Sequence, residues 1–282
     1  MRARLLVLAA ALLFSTGGAA IKATTLTAWQ VASFRSGVAA LALFILLPGS
    51  RRRPDRATLL VGVVYGLTMV LFVAANKLTT AANAIYLQST APLYILLAAP
   101  LLLREPVKRA DVVFMLALGA GLAAFFIGEE APRDSAPNPA LGNLLALASG
   151  LSWAGTVMGL RWLSGRTKSA LATQPALVVG NAFACLLALP AALPVEGSGS
   201  DLAIILWLGV VQIGLAYMCL SAGLAGVPAL EASLLLLVEP VLNPVWAWVV
   251  QGEKPGPWAI AGGTIILVAT ALRTLHDRRA PA

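Results

Sequence analysis

The chain has 282 residues, of which 59% are hydrophobic and only 11% are charged, with a formal net charge of +8. Ordinary soluble domains carry roughly 25% charged residues, and a mean hydropathy of +0.86 rules out a water-soluble globule of this length. It also rules out disorder, and the basic residues sit in short clusters between apolar runs, which excludes nucleic acid as the partner.

The apolar runs are continuous, so they read as helices in a lipid bilayer rather than as the alternating strands of a β-barrel. Taken in chain order, spans are predicted at 4–22, 27–47, 58–76, 83–103 and 111–128, then at 141–162, 172–194, 203–223, 230–250 and 257–274. The fold class is therefore an all-α integral membrane protein with ten transmembrane helices. Turn-forming residues separate the spans: Pro48-Gly49-Ser50, Arg104-Glu105-Pro106, Pro132 to Pro139, Glu196 to Ser200 and Gly252 to Pro255.

Lys and Arg set the orientation. Fifteen of them fall on one side, from Arg2 and Arg4 through Arg51, Arg52, Arg53 and Arg56 to Arg273, Arg278 and Arg279. The other side holds four, Lys22, Lys77, Arg133 and Lys254. The bias places both termini in the cytoplasm. A prevalence of Arg over Lys and abundant Ala fit a GC-rich bacterial genome, and the expected location is the bacterial inner membrane. A cleaved leader is the alternative reading of the first segment, and the repeat described next argues against removal. Cys185 and Cys219 lie inside apolar runs and read as small core residues.

Sliding the chain along itself by 148 residues lays the fourth span on the ninth: Asn83-Ala84 meets Glu231-Ala232, Pro92 meets Pro240 and Glu105 meets Glu253. A shift of 139 lays the first span on the sixth, with Leu12 on Leu151 and Phe14 on Trp153. The organisation expected is a five-helix repeat over 1–128, a periplasmic linker over 129–140 and a second five-helix repeat over 141–282. Five is odd, so the second half enters the membrane with opposite polarity. Inverted repeats of this kind are a transporter architecture.

The residues from Gly66 to Leu78, then Ala82-Asn83-Ala84, Pro92 and Arg104-Glu105-Pro106, are echoed by Leu230-Glu231-Ala232-Ser233 through Val238-Glu239-Pro240, Gly252-Glu253 and Gly262 to Leu267. With these motifs the chain resembles the EamA family of the drug/metabolite transporter superfamily over nearly its whole length. Its aromatic endowment is similar to that of YddG-type aromatic amino-acid exporters. Two departures stand out. Arg104 precedes Glu105 where the family usually has Gly, and Ala91 occupies the position matching Glu239, so any role of that acid is asymmetric.

Pro92 leaves the carbonyl of Gln88 without its helical donor, and Pro240 does the same to Leu236. Paired breaks at one depth point to hinges with a polar lining, against the plainer reading of packing kinks. Arg35 and Glu239 lie near the centres of the second and ninth spans, where each charge costs roughly 2.5–3.5 kcal/mol. They read as substrate contacts, proton coupling or a polar tether. Asn76, Asn83, Asn181, Gln212 and Ser233 are polar span residues whose usual work is helix-helix bonding. Gln88 and Asn243, which flank the proline breaks, and the deep aromatics Tyr86, Tyr94, Trp153, Tyr217 and Trp246 form the expected substrate-binding set. Trp29, Trp207 and Trp258 read as interface anchors. Gly62/Gly66 and Gly155/Gly159 follow the spacing of close helix contacts.

The single histidine, His276, lies in the C-terminal tail, so no catalytic residue, metal site or cofactor is expected. No phosphate-binding Gly-Lys-Ser/Thr loop is present, and no filter-like repeat. The family resemblance implies a cavity among the first, third, fourth, sixth, eighth and ninth spans. The expected function is gradient-driven export of neutral and aromatic amino acids by alternating access. Other metabolites or drugs are the alternative, and an intramembrane enzyme or a channel would be a different class. The partners expected are the small-molecule substrate and the bilayer, with the protein as a monomer.

Overall fold

The computed structural model describes residues 1–102, 109–127, 131–167, 170–195, 197–224 and 235–279. The expected Arg104-Glu105-Pro106 turn, Glu231, Ser233, Glu196 and the first residues of the linker lie outside the described residues. What is described is helical, with one isolated bridge between Arg133 and Ala136 and no strand among the described residues. A bilayer offers the backbone no water to bond, and helices satisfy every peptide group internally.

The chain opens with α1 (Arg2–Ser15) and α2 (Gly17–Ala23), then α3 (Ala28–Leu46) and α4 (Arg56–Leu78). Next come α5 (Ala81–Gln88), α6 (Ala91–Leu102) and α7 (Arg109–Ile127). The second half runs through α8 (Pro139–Thr167), α9 (Gln174–Ala192), α10 (Gly199–Leu206), a π-helical stretch over Trp207–Leu215, and α11 (Ala216–Leu224). It closes with α12 (Val238–Gln251) and α13 (Pro257–Arg279).

Six of these segments are long and apolar enough to cross a membrane: Arg2–Ala23, Ala28–Leu46, Arg56–Leu78, Pro139–Arg166, Leu171–Ala192 and Gly199–Gly223. Val112–Ile127 and Pro257–Arg273 are shorter apolar helices. The fourth predicted span is not one helix. It is α5 and α6, divided at Ser89 and Thr90. The ninth is interrupted at Leu237, ahead of α12.

Helix starts are set by side chains that accept the free amides of the first turn. Thr27 and Gln30 form a reciprocal capping box, as do Ser198 and Asp201. Thr80 caps α5 through the Asn83 amide at 3.1 Å, and Asp55 caps α4 through Thr58 at 2.8 Å.

The two halves of the sequence interleave. Helix α4 packs along α8 and α9, α3 along α9, and α1 along α11. Glycine makes the tightest crossing possible. A Cβ on Gly66 would stand 2.5 Å from the carbonyl oxygen of Gly180, and one on Gly180 would stand 2.5 Å from that of Gly62. Only a residue without a side chain lets α4 and α9 approach so closely.

Candidate solute cavity

A cavity of about 410 Å³ lies where the two interrupted spans meet. Gln88, Ser89 and Pro92 line it from the first half, and Leu236, Leu237, Glu239 and Pro240 from the second. Each interruption falls between the carbonyl that a proline deprives of its donor and the proline itself. Phe14, Phe72, Trp153 and Tyr217 supply an aromatic wall, and Thr68, Met69, Gln212 and Thr270 are among the other lining residues.

The structure gathers some of the expected residues and disperses others. Gln88, Trp153, Tyr217, Pro92, Pro240, Arg35 and Glu239 all line the cavity. Tyr86 does not; its ring lies on Gly263 and 6.2 Å from the ring of Phe125. Tyr94 is half-buried and engages Thr90. Asn243 is fully buried, and its side chain is packed against Gly18. Trp246 donates its indole N–H to the Ser15 hydroxyl at 2.9 Å. The lining also includes α3, through Arg35, and α13, through Thr270, which the expected set of spans left out.

Polar groups on the wall are mostly engaged. Gln88 donates to the Ser149 hydroxyl at 2.7 Å, and Ser149 in turn donates to the Thr68 carbonyl at 3.4 Å. Gln212, in the π-helical stretch, donates to the Phe14 carbonyl at 3.4 Å. Tyr217 stacks edge-on against Phe14 and Tyr65, with centroids 5.1 and 6.1 Å away.

The two charged residues are different. Arg35 is 1% exposed, and one terminal nitrogen donates to the Met69 carbonyl at 3.3 Å while its Nε has no partner. Glu239 makes no hydrogen bond among the described residues. No ion pair joins the two. A cation and an acid therefore share one cavity and neutralise neither each other nor any described neighbour.

One end of the molecule is sealed by a buried ionic network. Lys22 pairs with Glu253 at 3.0 Å, the side chains being 4% and 1% exposed. Lys22 also donates to the carbonyls of Thr79, at 2.8 Å, and Ser135. The second carboxylate oxygen of Glu253 accepts the Ala81 amide at 2.5 Å, at the start of α5. Around this pair, Lys77 donates to Thr24 and Asp201 holds Thr25 by amide and hydroxyl. Gln251 donates to the Ala19 carbonyl at 2.7 Å and Gln30 to that of Pro194 at 3.0 Å. The sequence puts Lys22 and Lys254, the neighbour of Glu253, on the same side, but carries no sign that Lys22 and Glu253 touch.

At 1.5 Å of rise per residue, Trp153, Leu236 and Thr270 lie about 20 Å along their helices from the sealed end. Ile85 stands only about 6 Å from the start of α5. The cavity thus begins just beneath the seal and extends toward the end that carries Arg51 and Arg166. Among the described residues, no group of three or more His, Cys, Asp or Glu could hold a metal.

Comparison with known proteins gives the same direction. The EamA-like transporter family matches residues 1–127 and 140–275. The pseudopaline exporter CntI of Pseudomonas aeruginosa is 28% identical over 274 residues, covering 94% of this chain and 93% of the relative. An uncharacterized transporter of Archaeoglobus fulgidus is 28% identical over 220 residues, covering 78% and 77%. A crystal structure with 20% identity superposes with a TM-score of 0.65 over 99% of both chains, which shows a shared fold. Two family matches covering nearly the whole chain, on a membrane-type helical fold, indicate a transporter rather than an enzyme: the chain belongs to the EamA-like transporter family.

Proposed function

We propose that the protein is a secondary exporter of neutral amino acids, aromatic ones included, working by alternating access. The observation that carries this reading is the cavity. Both halves of the sequence build it, both interrupted helices border it, and a sealed end closes it on one side. Ten spans in two inverted five-helix repeats account for the interruptions, which stand 148 residues apart in register. Freed backbone groups at such breaks are suited to holding a solute at membrane depth.

In this reading the arginine-rich end and both termini are cytoplasmic, in a bacterial inner membrane. The sealed end faces outward, and the structure is the inward-facing state. A flat aromatic wall of Phe14, Phe72, Trp153 and Tyr217 suits apolar and aromatic side chains and tolerates variation in them. The absence of a nucleotide-binding loop from the sequence makes a solute or ion gradient the driving force.

The test is direct. Liposomes containing the purified protein are loaded with a labelled mixture of amino acids, and release is followed with and without external unlabelled solute. Saturable counter-exchange of neutral amino acids is expected, reduced by Trp153→Ala. Exchange confined to other solutes, such as the pseudopaline that the Pseudomonas relative is named for, would keep the family assignment and remove the amino-acid reading.

A further inference from the structure

We infer that Arg35 and Glu239 are the two poles that select the solute, Arg35 taking a carboxylate and Glu239 an ammonium group. The inference rests on the amino-acid reading above and goes further, because it assigns specificity to two residues and gives the bound solute a direction.

The first observation is geometric. Both side chains line one cavity, and they come from different halves of the sequence, α3 and α12. Tyr217 lines the same cavity. Arg35 and Glu239 are not bonded to each other.

The second observation is the orphaned Nε of Arg35, on a side chain that is 1% exposed. Its one described carbonyl partner, Met69, uses a single terminal nitrogen. A guanidinium presents five N–H donors in a planar fork whose natural complement is a carboxylate. Tyr65 and Tyr217 are also neighbours, and neither brings the negative charge that a buried Arg requires. Glu239 has the complementary deficiency, an acid on the cavity wall that makes no hydrogen bond among the described residues.

A zwitterion cures both deficiencies at once and leaves the loaded site neutral overall. A carboxylate without an amine fills only the Arg35 pole and adds repulsion with Glu239. An amine without a carboxylate fills only the Glu239 pole and leaves Arg35 unmet. A site built to bond a group rejects an analogue that lacks it, since its own buried partner is then left unpaired. Selection by charge pattern also leaves the side chain free to vary against the aromatic wall.

The experiment uses three probes with one ring: phenylalanine, 3-phenylpropanoate, which lacks the amine, and phenethylamine, which lacks the carboxylate. Each competes against labelled phenylalanine in counterflow by the full-length protein in liposomes. In the wild type, phenylalanine competes at least about tenfold better than either analogue. In Glu239→Gln its advantage over 3-phenylpropanoate falls to within about twofold, while its advantage over phenethylamine persists. Arg35→Gln has the converse pattern. Because Arg35 is buried and that variant risks misfolding, Glu239→Gln decides the matter alone, with monodispersity checked by size-exclusion chromatography.

An unchanged preference over 3-phenylpropanoate in Glu239→Gln overturns the assignment while leaving the exporter reading in place. A wild type that exchanges other solutes but no amino acid removes that reading, and this inference falls with it.

Discussion

The two ends of the molecule are tied together by different physics. At one end Lys22 and Glu253 are almost fully buried, and their network ties α2, the α4–α5 turn, the loop before α8 and the loop after α12. At the other, Arg166 meets Asp55 at 3.3 Å, with side chains 47% and 55% exposed. Arg51 and Ser50 there bond only to carbonyls of their own neighbourhood. Removing one partner from a buried pair costs about 3–5 kcal/mol, whereas an exposed pair contributes about 0–1 kcal/mol. The contrast between these two pairs sets a desolvated ion pair that links segments far apart in sequence against a solvated one.

The largest effect is expected where that comparison is broken outright. Glu253→Gln removes the charge facing Lys22 and weakens the acceptor of the Ala81 amide. Lys22 keeps two carbonyls, so the cost falls at the lower end of the buried-pair range. In a background lacking Cys185 and Cys219, a cysteine at Thr79, which is fully buried, is then modified by an external thiol reagent at least about tenfold faster than with Glu253 intact. Equal rates would show that the pair is not what holds this end closed.

An intermediate effect is expected between the ends. Pro240→Ala returns a donor to the Leu236 carbonyl and favours a continuous helix through Leu237. Counterflow should slow by about three- to tenfold with half-saturation nearly unchanged. A variant as fast as the wild type would make the interruption a packing feature.

The smallest effect belongs to the exposed end. Hydrogen bonds from the Thr58 hydroxyl and amide, with Arg166 nearby, hold the Asp55 carboxyl below the usual carboxylate range. A lowered folded-state value means its stabilisation is present at neutral pH and fades as the medium is acidified through that value. Asp55→Ala should therefore lower the melting temperature by no more than about 2 °C at neutral pH, with the difference shrinking in acid. A drop as large as that of Glu253→Gln would erase the contrast between the ends.

Continuous apolar runs made the helical membrane class legible, and the prolines marked where two spans break. Rotation about each helix axis was not legible. A span that is apolar all round carries no stripe that says which side faces the cavity. Gln88 and Tyr86 are two residues apart, about 200° around a helix, so only one can face inward, and it is Gln88. Tyr94 stands in the same relation to Pro92. Asn243 follows Glu239 by one turn on the same face, but one turn nearer the seal, where Gly18 already closes the space. The Lys22–Glu253 pair joins residues from opposite ends of the chain, and no local pattern announces it. The capping boxes at Thr27/Gln30 and Ser198/Asp201, by contrast, lie within four-residue local signatures.

In the proposed orientation the cavity opens toward the arginine-rich end, on the cytoplasmic side, while Lys22 and Glu253 close the other. A cysteine at Thr270, on the cavity wall, tests it in membranes of known orientation, with Cys185 and Cys219 replaced. Impermeant thiol reagent should reach it from the cytoplasmic face in the otherwise wild-type protein, and reach it from the external face once Glu253→Gln is added. Equal labelling from both faces before that change, or labelling from the external face alone, would contradict the account.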